Sequence, residues 1–135
     1  MSAINDKVNN STKYTVMIVE DDPVLQKMYN QKLISEGFNT LIASDGQEAQ
    51  DLFNKEPVDL IITDIMMPRV SGIELIENIR QNSKEKTIPI LAWSNLALEE
   101  EKQKALSAGA NEYVIKGSLN LEQLVNLVKK YLPGS

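Results

Sequence analysis

Short apolar runs alternate along the chain with longer stretches in which apolar residues recur every three or four positions. The short runs are rich in β-branched residues, which is typical of strands, whereas the recurring pattern is typical of helices that pack on one face. The predicted strands are residues 14–19, 38–43, 58–63, 88–93 and 112–115. The predicted helices are residues 23–36, 46–55, 73–80, 98–108 and 119–132.

This alternation predicts strand–helix–strand units with right-handed crossovers, and therefore a parallel sheet that helices cover on both faces. The third strand, VDLIIT at 58–63, is apolar at four of its six positions, as expected for a strand that is buried on both faces. The predicted fold class is α/β, with a doubly wound parallel sheet of five strands.

The N-terminal residues 1–13 are polar and follow no hydrophobic period, so we predict a flexible tail there. The remaining residues, 14–133, suffice for one ordinary domain but not for two. Neither a signal peptide nor an apolar run long enough to span a membrane is visible in the sequence. We therefore expect a cytoplasmic protein that makes no contact with a membrane.

Composition excludes several classes of chemistry. The chain has no cysteine and no histidine, which excludes disulfides, thiolate nucleophiles, serine–histidine triads and most zinc sites. Its net charge is −5 and no basic patch is visible, so we expect no direct binding to nucleic acid.

Polar side chains stand at the carboxyl ends of the predicted strands, where parallel sheets bind their ligands. Glu20 and Asp21 follow the first strand and Asp64 follows the third, while Ser94 and Lys116 follow the fourth and fifth. For a strand order of 2-1-3-4-5, the first and third strands are neighbours at the point where the order reverses. We therefore expect the three carboxylates to cluster.

Such a cluster needs compensating positive charge, because neighbouring carboxylates repel one another. Lys116 and a cation are the candidates, and ligands that are all oxygen favour Mg²⁺ or Mn²⁺ over zinc. Asp64 could then act as a nucleophile that forms an acyl phosphate. Lys116 could hold one phosphoryl oxygen and the Ser94 hydroxyl another.

With these motifs the sequence resembles the receiver domain of bacterial two-component response regulators, in its single-domain form. The resemblance spans about residues 14–132 and is carried by VEDD at 19–22, DIMMPRVSG at 64–72, Ser94, and YVIK at 113–116. It implies a flavodoxin-like fold with strand order 2-1-3-4-5.

The resemblance also implies a function in phosphorylation-dependent signalling. A sensor histidine kinase or a histidine phosphotransfer protein would donate a phosphoryl group to Asp64 in the presence of Mg²⁺. The surface of the fourth helix, fifth strand and fifth helix would then change and act on a downstream protein. The chain would not be an enzyme in the usual sense, although phosphorylation by small phosphodonors and autodephosphorylation are expected.

Individual roles follow from the same resemblance. Asp64 is the phosphoacceptor and Lys116 is the lysine that binds the phosphoryl group. Ser94 is the switch hydroxyl and Tyr113 is the switch aromatic, although an aromatic residue in a short edge strand often simply packs. The implied metal ligands are Glu20, Asp21, Asp64 and the backbone carbonyl of Met66.

Two other hypotheses about the function remain as alternatives. A phosphohydrolase of the haloacid dehalogenase type also uses an aspartyl nucleophile and Mg²⁺. That family carries a D-x-D motif after its first strand, whereas here the candidate follows the third strand and residue 66 is Met. A flavodoxin-like cofactor-binding module would need a phosphate-binding loop after the first strand, where the acidic residues 20–22 would repel phosphate.

The residue after Lys116 is glycine, whereas receiver domains usually have a proline preceded by a cis bond. A cis bond before a non-proline residue costs about 2.5–4 kcal/mol. We therefore predict a trans Lys116–Gly117 bond in which Gly117 turns the chain through a positive φ. The long lysine side chain is still expected to reach Asp64.

Overall fold

The structure of the protein is a computed structural model that describes residues 13–67, 69–82 and 87–135. Apart from Lys13, the predicted tail at 1–13 lies outside the described residues. The strands are β1 Thr15–Val19, β2 Asn39–Ala43, β3 Leu60–Asp64, β4 Ile90–Ser94 and β5 Glu112–Ile115. The helices are α1 Pro23–Ser35, α2 Gly46–Lys55, α3 Gly72–Asn82, α4 Glu99–Ala108 and α5 Leu121–Tyr131, with a 3₁₀ turn at Lys116–Ser118.

All strand pairs are parallel and the strand order is β2-β1-β3-β4-β5, which confirms the predicted fold class. The register aligns Val19 of β1 with Thr63 of β3, and Asp64 of β3 with Trp93 of β4. The carboxyl ends of the central strands therefore meet at one edge of the sheet, where the chain continues into its polar loops.

Two hydrophobic cores lie on opposite faces of the sheet, because successive strand residues point to opposite sides. On one face, Met17 and Ile61 pack with apolar residues of α2, α3 and α4. On the other face, Ile18 and Ile62 pack with apolar residues of α1 and α5. Every residue of β3 is buried, including the polar Thr63 and Asp64 at its end, whereas Asp59, which the prediction placed in this strand, is exposed. The site at the strand ends thus rests on a sheet that is packed on both sides.

Helix α1 begins at a capping residue, and several of its apolar residues lie outside the core. The Asp22 carboxylate caps the helix by accepting hydrogen bonds from the N–H groups of the residues that follow Pro23. Val24, Met28 and Ile34 nevertheless remain largely exposed. Within the described residues, no helix is both long and apolar enough to cross a membrane.

The Lys116–Gly117 bond is trans, as predicted, since the described residues contain no cis peptide bond. The prediction of a positive φ at Gly117 is wrong, because this glycine is not among those with a left-handed backbone. The chain turns instead through the 3₁₀ helix Lys116–Ser118, and the Ser118 hydroxyl donates a hydrogen bond of 2.8 Å to the carbonyl of Ile115. A 3₁₀ turn reverses the chain with ordinary φ values and needs no glycine.

Candidate functional site

A cavity of about 370 Å³ opens at the carboxyl edge of the sheet, above β1, β3, β4 and β5. It brings together side chains that lie far apart in the sequence. The residues that line it are Glu20, Asp21, Asp22, Leu25, Asp64, Met66, Ser94, Asn95, Leu96 and Lys116.

At the base of this cavity one buried ammonium joins two buried carboxylates. The Nζ atom of Lys116 lies 2.8 Å from Oε1 of Glu20 and 2.9 Å from Oδ2 of Asp64. The exposed fractions of the three side chains are 9% for Lys116, 3% for Glu20 and 9% for Asp64. The contact confirms the expectation that the Lys116 side chain reaches Asp64.

Burial and charge act against each other in this triad. Burial raises the pKa of the Glu20 carboxyl above its ordinary value, and hydrogen bonds from Lys116 and the Asp22 N–H offset only part of that effect. Burial alone would lower the pKa of Lys116, but its hydrogen bonds to Glu20 and Asp64 outweigh burial and raise it. The ammonium is therefore firmly charged at neutral pH.

The same edge carries an acidic cluster with the composition of a site for a hard cation. One carboxylate oxygen from each of Glu20, Asp21 and Asp64 lies within 4.8 Å of the others. Asp21 is exposed at the mouth of the cavity, whereas the other two are buried. Because the donors are all oxygen and number only a few, these residues fit Mg²⁺, which keeps several water molecules when it binds to proteins.

Backbone contacts around Asp64 fix the orientation of its side chain. The N–H of Met66 donates a hydrogen bond of 3.2 Å to Oδ1, leaving Oδ2 to Lys116. The hydroxyl of Thr63 donates to the carbonyl of Asp64 at 2.9 Å. A β-carbon added to Gly72 would lie 2.1 Å from that same carbonyl oxygen. Only glycine therefore lets α3 begin this close to the candidate nucleophile.

The Glu20 side chain is held by the start of α1. The N–H of Asp22 donates to Oε2 of Glu20 at 3.1 Å, while Oε1 accepts from Lys116. The side-chain amide of Gln26 donates to the backbone carbonyl of Glu20. The Asp22 side chain caps α1. Of the three consecutive acidic residues, Glu20 and Asp21 therefore belong to the acidic cluster and Asp22 to the helix.

Ser94 and Tyr113 meet on the backbone of a single residue, Leu96. The buried Ser94 hydroxyl oxygen accepts a hydrogen bond of 3.0 Å from the N–H of Leu96. The Tyr113 hydroxyl donates one of 2.7 Å to the carbonyl of Leu96. The Tyr113 ring is half-buried and packs against the core under α4. The two predicted switch residues are thus connected through one loop residue, Leu96.

Trp93 is part of the core on the α1 and α5 side, next to Ser94 in β4. Its indole N–H donates a hydrogen bond of 2.9 Å to the Tyr29 hydroxyl of α1. The two rings lie edge to face with centroids 5.7 Å apart. Since the chain contains one tryptophan, Trp93 provides a single indole fluorophore between β4 and α1.

Sequence reasoning missed three contributors to the site: Gln26, Thr63 and Leu96. Leu96 contributes backbone atoms, and a backbone contact cannot be predicted from the type of the residue. The sequence pattern predicts only that Thr63 is a residue of the third strand and that Gln26 is a polar residue of the first helix. Their roles depend on which loop lies beside them, and the neighbouring loop is known only from the structure.

Fold and site together define a doubly wound α/β protein with an acidic candidate site at the carboxyl edge of its sheet. Residues 16–129 match the family model of the response regulator receiver domain, and the chain belongs to that family. Because this match covers most of the chain, the phosphohydrolase and flavodoxin-like alternatives are not favoured. The protein is a receiver domain of phosphorylation-dependent signalling.

Relatives of known sequence differ in length. The chain is 39% identical over 119 residues to the probable transcriptional regulator ycf29 of Porphyra purpurea; this covers 88% of the chain but only 56% of that protein. It is 29% identical over 118 residues to the polar-differentiation response regulator DivK of Brucella anthropi, covering 87% of the chain and 95% of that protein. The chain is thus similar both to a short regulator and to part of a longer one.

Solved structures agree with the fold. The chemotaxis response regulator CheY4 of Vibrio cholerae superposes with a TM-score of 0.83 at 30% identity, covering 90% of the chain and 100% of that structure. The response regulator TrrA of Thermotoga maritima, in complex with Mg²⁺ and BeF, gives 0.78 at 32% identity, covering 88% and 99%. The fold of the chain is therefore similar to that of response regulators of known structure.

Proposed function

We propose that Asp64 accepts a phosphoryl group from the phosphohistidine of a sensor histidine kinase or a histidine phosphotransfer protein. The observation that carries the proposal is the Lys116 ammonium, 2.9 Å from Asp64 and 2.8 Å from Glu20, beside carboxylate oxygens within 4.8 Å of one another. This arrangement offers a nucleophile, a positive charge for phosphoryl oxygens and oxygen ligands for a cation in one cavity.

In the proposed reaction an oxygen of Asp64 attacks phosphorus and the bond from phosphorus to the histidine nitrogen breaks. The imidazole leaves with the electron pair of that bond, and Asp64 becomes an acyl phosphate. Lys116 then binds a phosphoryl oxygen in place of part of its contact with Asp64.

Glu20, Asp21, Asp64 and the backbone carbonyl of Met66 would hold Mg²⁺, or Mn²⁺ in its place. When bound, the cation would neutralise charge between the carboxylates and the phosphoryl oxygens. Met66 lines the cavity, and its N–H already contacts Asp64. The role of its carbonyl remains a prediction.

Intact mass spectrometry after incubation with acetyl phosphate and Mg²⁺ tests the proposal. The wild-type protein should gain one phosphoryl group, while Asp64→Asn should gain none because the amide keeps the shape but is not a nucleophile. Excess EDTA should likewise prevent the gain in the wild-type protein. A phosphoryl adduct on Asp64→Asn would overturn the assignment of the nucleophile.

The same proposal includes a switch from the site to the surface of α4, β5 and α5. A phosphoryl oxygen offers the Ser94 hydroxyl a new acceptor, which draws the loop containing Leu96 toward the site. The Tyr113 hydroxyl donates a hydrogen bond to the Leu96 carbonyl, so movement of Leu96 acts directly on the ring. The downstream protein would recognise the altered surface.

Beryllofluoride, which mimics the phosphoryl group, tests this switch by NMR. Amide chemical shifts from Asn95 to Tyr113 should change in the wild-type protein. With Ser94→Ala the changes should shrink toward the immediate surroundings of Asp64, because the loop loses its new hydrogen bond. Shifts across Asn95–Tyr113 as large as those of the wild type would contradict the role of Ser94.

Phosphorylation by small phosphodonors and slow autodephosphorylation belong to the same proposal. The cavity is open to solvent on the side of the exposed Asp21, so water can approach an acyl phosphate on Asp64. Such a protein is itself phosphorylated and dephosphorylated, and does not act as a catalyst for the conversion of a separate substrate. A cytoplasmic location and the lack of direct contact with nucleic acid or membrane remain predictions from the sequence.

A further inference from the structure

The connection between β2 and α2 touches both loops that carry the acidic cluster. The side-chain amide of Gln26 donates to the backbone carbonyl of Glu20 and, at 3.0 Å, to the hydroxyl of Ser44. The loop after β1 is thereby tied to Ser44. The next residue, Asp45, makes the corresponding contact with the loop after β3.

That second contact is a two-donor ion pair. Nε and Nη2 of Arg69 lie 3.1 Å and 2.5 Å from Oδ2 of Asp45. The other oxygen of Asp45 accepts a hydrogen bond of 2.8 Å from the N–H of Glu48 and so caps α2. Its side chain is only 15% exposed. Asp45 is therefore held by the start of α2, whereas the Arg69 side chain that contacts it is 62% exposed.

Arg69 has a left-handed backbone conformation, which is unfavourable for a residue with a side chain. Its φ of 65° makes it the one non-glycine residue with positive φ in the described part of the chain. Such a residue is strained, and strain of this kind persists where the surroundings impose it. The neighbouring carbonyl of Val70 accepts a hydrogen bond of 3.2 Å from Gly46, where an added β-carbon would lie 2.2 Å from that oxygen. The loop is thus seated closely on the start of α2.

We infer that Arg69 is a positioning residue which, through Asp45, sets the affinity of the acidic cluster for Mg²⁺. The inference rests on the proposed function. The ion pair fixes the far end of the loop that begins at Asp64 and Met66, opposite the loop of Glu20 and Asp21. Because Mg²⁺ demands near-ideal octahedral geometry, a small change in the spacing of these loops weakens its binding.

Arg69→Gly separates positioning from simple stabilisation. Glycine adopts positive φ without strain, so the variant loses the ion pair and the strain together and should unfold no more easily than the wild type in EDTA. Its dissociation constant for Mg²⁺, measured from amide shifts in an NMR titration, should rise by up to about tenfold. That is the lower end of the effect of removing a group bonded directly to a metal ligand, and Arg69 acts one step further out, through Asp45 and the loop. At saturating Mg²⁺ its maximal rate of phosphorylation by acetyl phosphate should return to that of the wild type.

Two further variants make the comparison specific. Asp45→Asn keeps a side-chain oxygen for the cap of α2 but removes the charge that Arg69 contacts. The double variant with Arg69→Gly should bind Mg²⁺ no more weakly than either single variant, because both changes remove the same interaction. Lys130→Gln removes an ion pair with Glu112 at the start of the edge strand β5 and should leave Mg²⁺ affinity unchanged.

Unchanged Mg²⁺ affinity in Arg69→Gly would overturn the inference, as would an equal loss of affinity in Lys130→Gln. A lower maximal rate at saturating Mg²⁺ would also overturn it, since positioning of the cation would then not account for the effect. If the wild-type protein itself bound no Mg²⁺ and gained no phosphoryl group, the proposed function would fail instead. The two failures are therefore distinguishable.

Discussion

Replacing Lys116 with Met should lower the free energy of unfolding by about 3 kcal/mol at neutral pH in EDTA, as removal of one partner from a buried ion pair does. Methionine keeps most of the length and the apolar stem of lysine but leaves Glu20 and Asp64 facing each other without a counter-charge. Their side chains are only 3% and 9% exposed, so water replaces the lost ammonium poorly. Denaturant unfolding of both proteins in EDTA measures the difference.

Lys129→Met is the matched control for this prediction. Lys129 also pairs with a glutamate, Glu36, at 3.2 Å, but its side chain is 38% exposed. Exposed pairs of this kind contribute about 0.2–1 kcal/mol. If Lys129→Met lowered the free energy of unfolding as much as Lys116→Met does, the buried triad would contribute no more to stability than an exposed ion pair.

The pH dependence of the Lys116→Met loss follows from Glu20. In the wild-type protein the pKa of Glu20 lies above its ordinary value of 4.5. Between the ordinary pKa and the raised one, the folded state binds more protons than the unfolded state, so Glu20 lowers the free energy of unfolding as the pH rises through that range. Without the ammonium, which lowers the Glu20 pKa, this pKa should rise further. The loss should therefore be largest at neutral pH and shrink as the pH falls toward 4.5.

Mg²⁺ should restore part of the stability that Lys116→Met loses, because a cation that binds only the folded state stabilises it by mass action. The restored fraction should be absent when Asp21→Ala is combined with Lys116→Met. A loss of stability that neither acid nor Mg²⁺ reduces would contradict the electrostatic explanation and point to lost packing.

The strand ends could be predicted from the sequence because their positions depend on topology rather than on side-chain detail. Once strands alternate with helices, Glu20, Asp64 and Lys116 must lie at one edge of a parallel sheet. The exact order of strands brings their loops together, and the resemblance to receiver domains supplied that order. The contact of Lys116 with both carboxylates then needs only a side chain of sufficient reach.

Backbone geometry accounts for what the sequence could not predict. The strained conformation of Arg69 and its pairing with Asp45 depend on how two loops pack, and neither residue type signals it. Glycine at 117 permits both a positive φ and a 3₁₀ turn, so its identity alone could not decide between them. In α1, the apolar spacing marks Met28 as readily as Leu33, although only Leu33 is buried.

Gly72→Ala should destabilise the protein by about 3 kcal/mol, at the upper end of the usual cost of overpacking. Helix propensity alone predicts the opposite sign, since alanine is favoured over glycine within a helix by about 1 kcal/mol. Sterics decide the outcome, because the new β-carbon would lie 2.1 Å from the carbonyl oxygen of Asp64 and 2.8 Å from the α-carbon of Ile65. Both are backbone atoms, so relief requires the start of α3 or the end of β3 to move.

Gly117→Ala is the control, because nothing lies within 4 Å of a β-carbon added there and its φ is not positive. Its free energy of unfolding should stay the same or rise by less than about 1 kcal/mol, through the lower entropy of the unfolded chain. Gly72→Ala should in addition slow phosphorylation of Asp64, since the movement that relieves the clash displaces the backbone of the nucleophile. If Gly72→Ala instead matched Gly117→Ala in both stability and phosphorylation rate, α3 would not begin against Asp64 as closely as the structure has it.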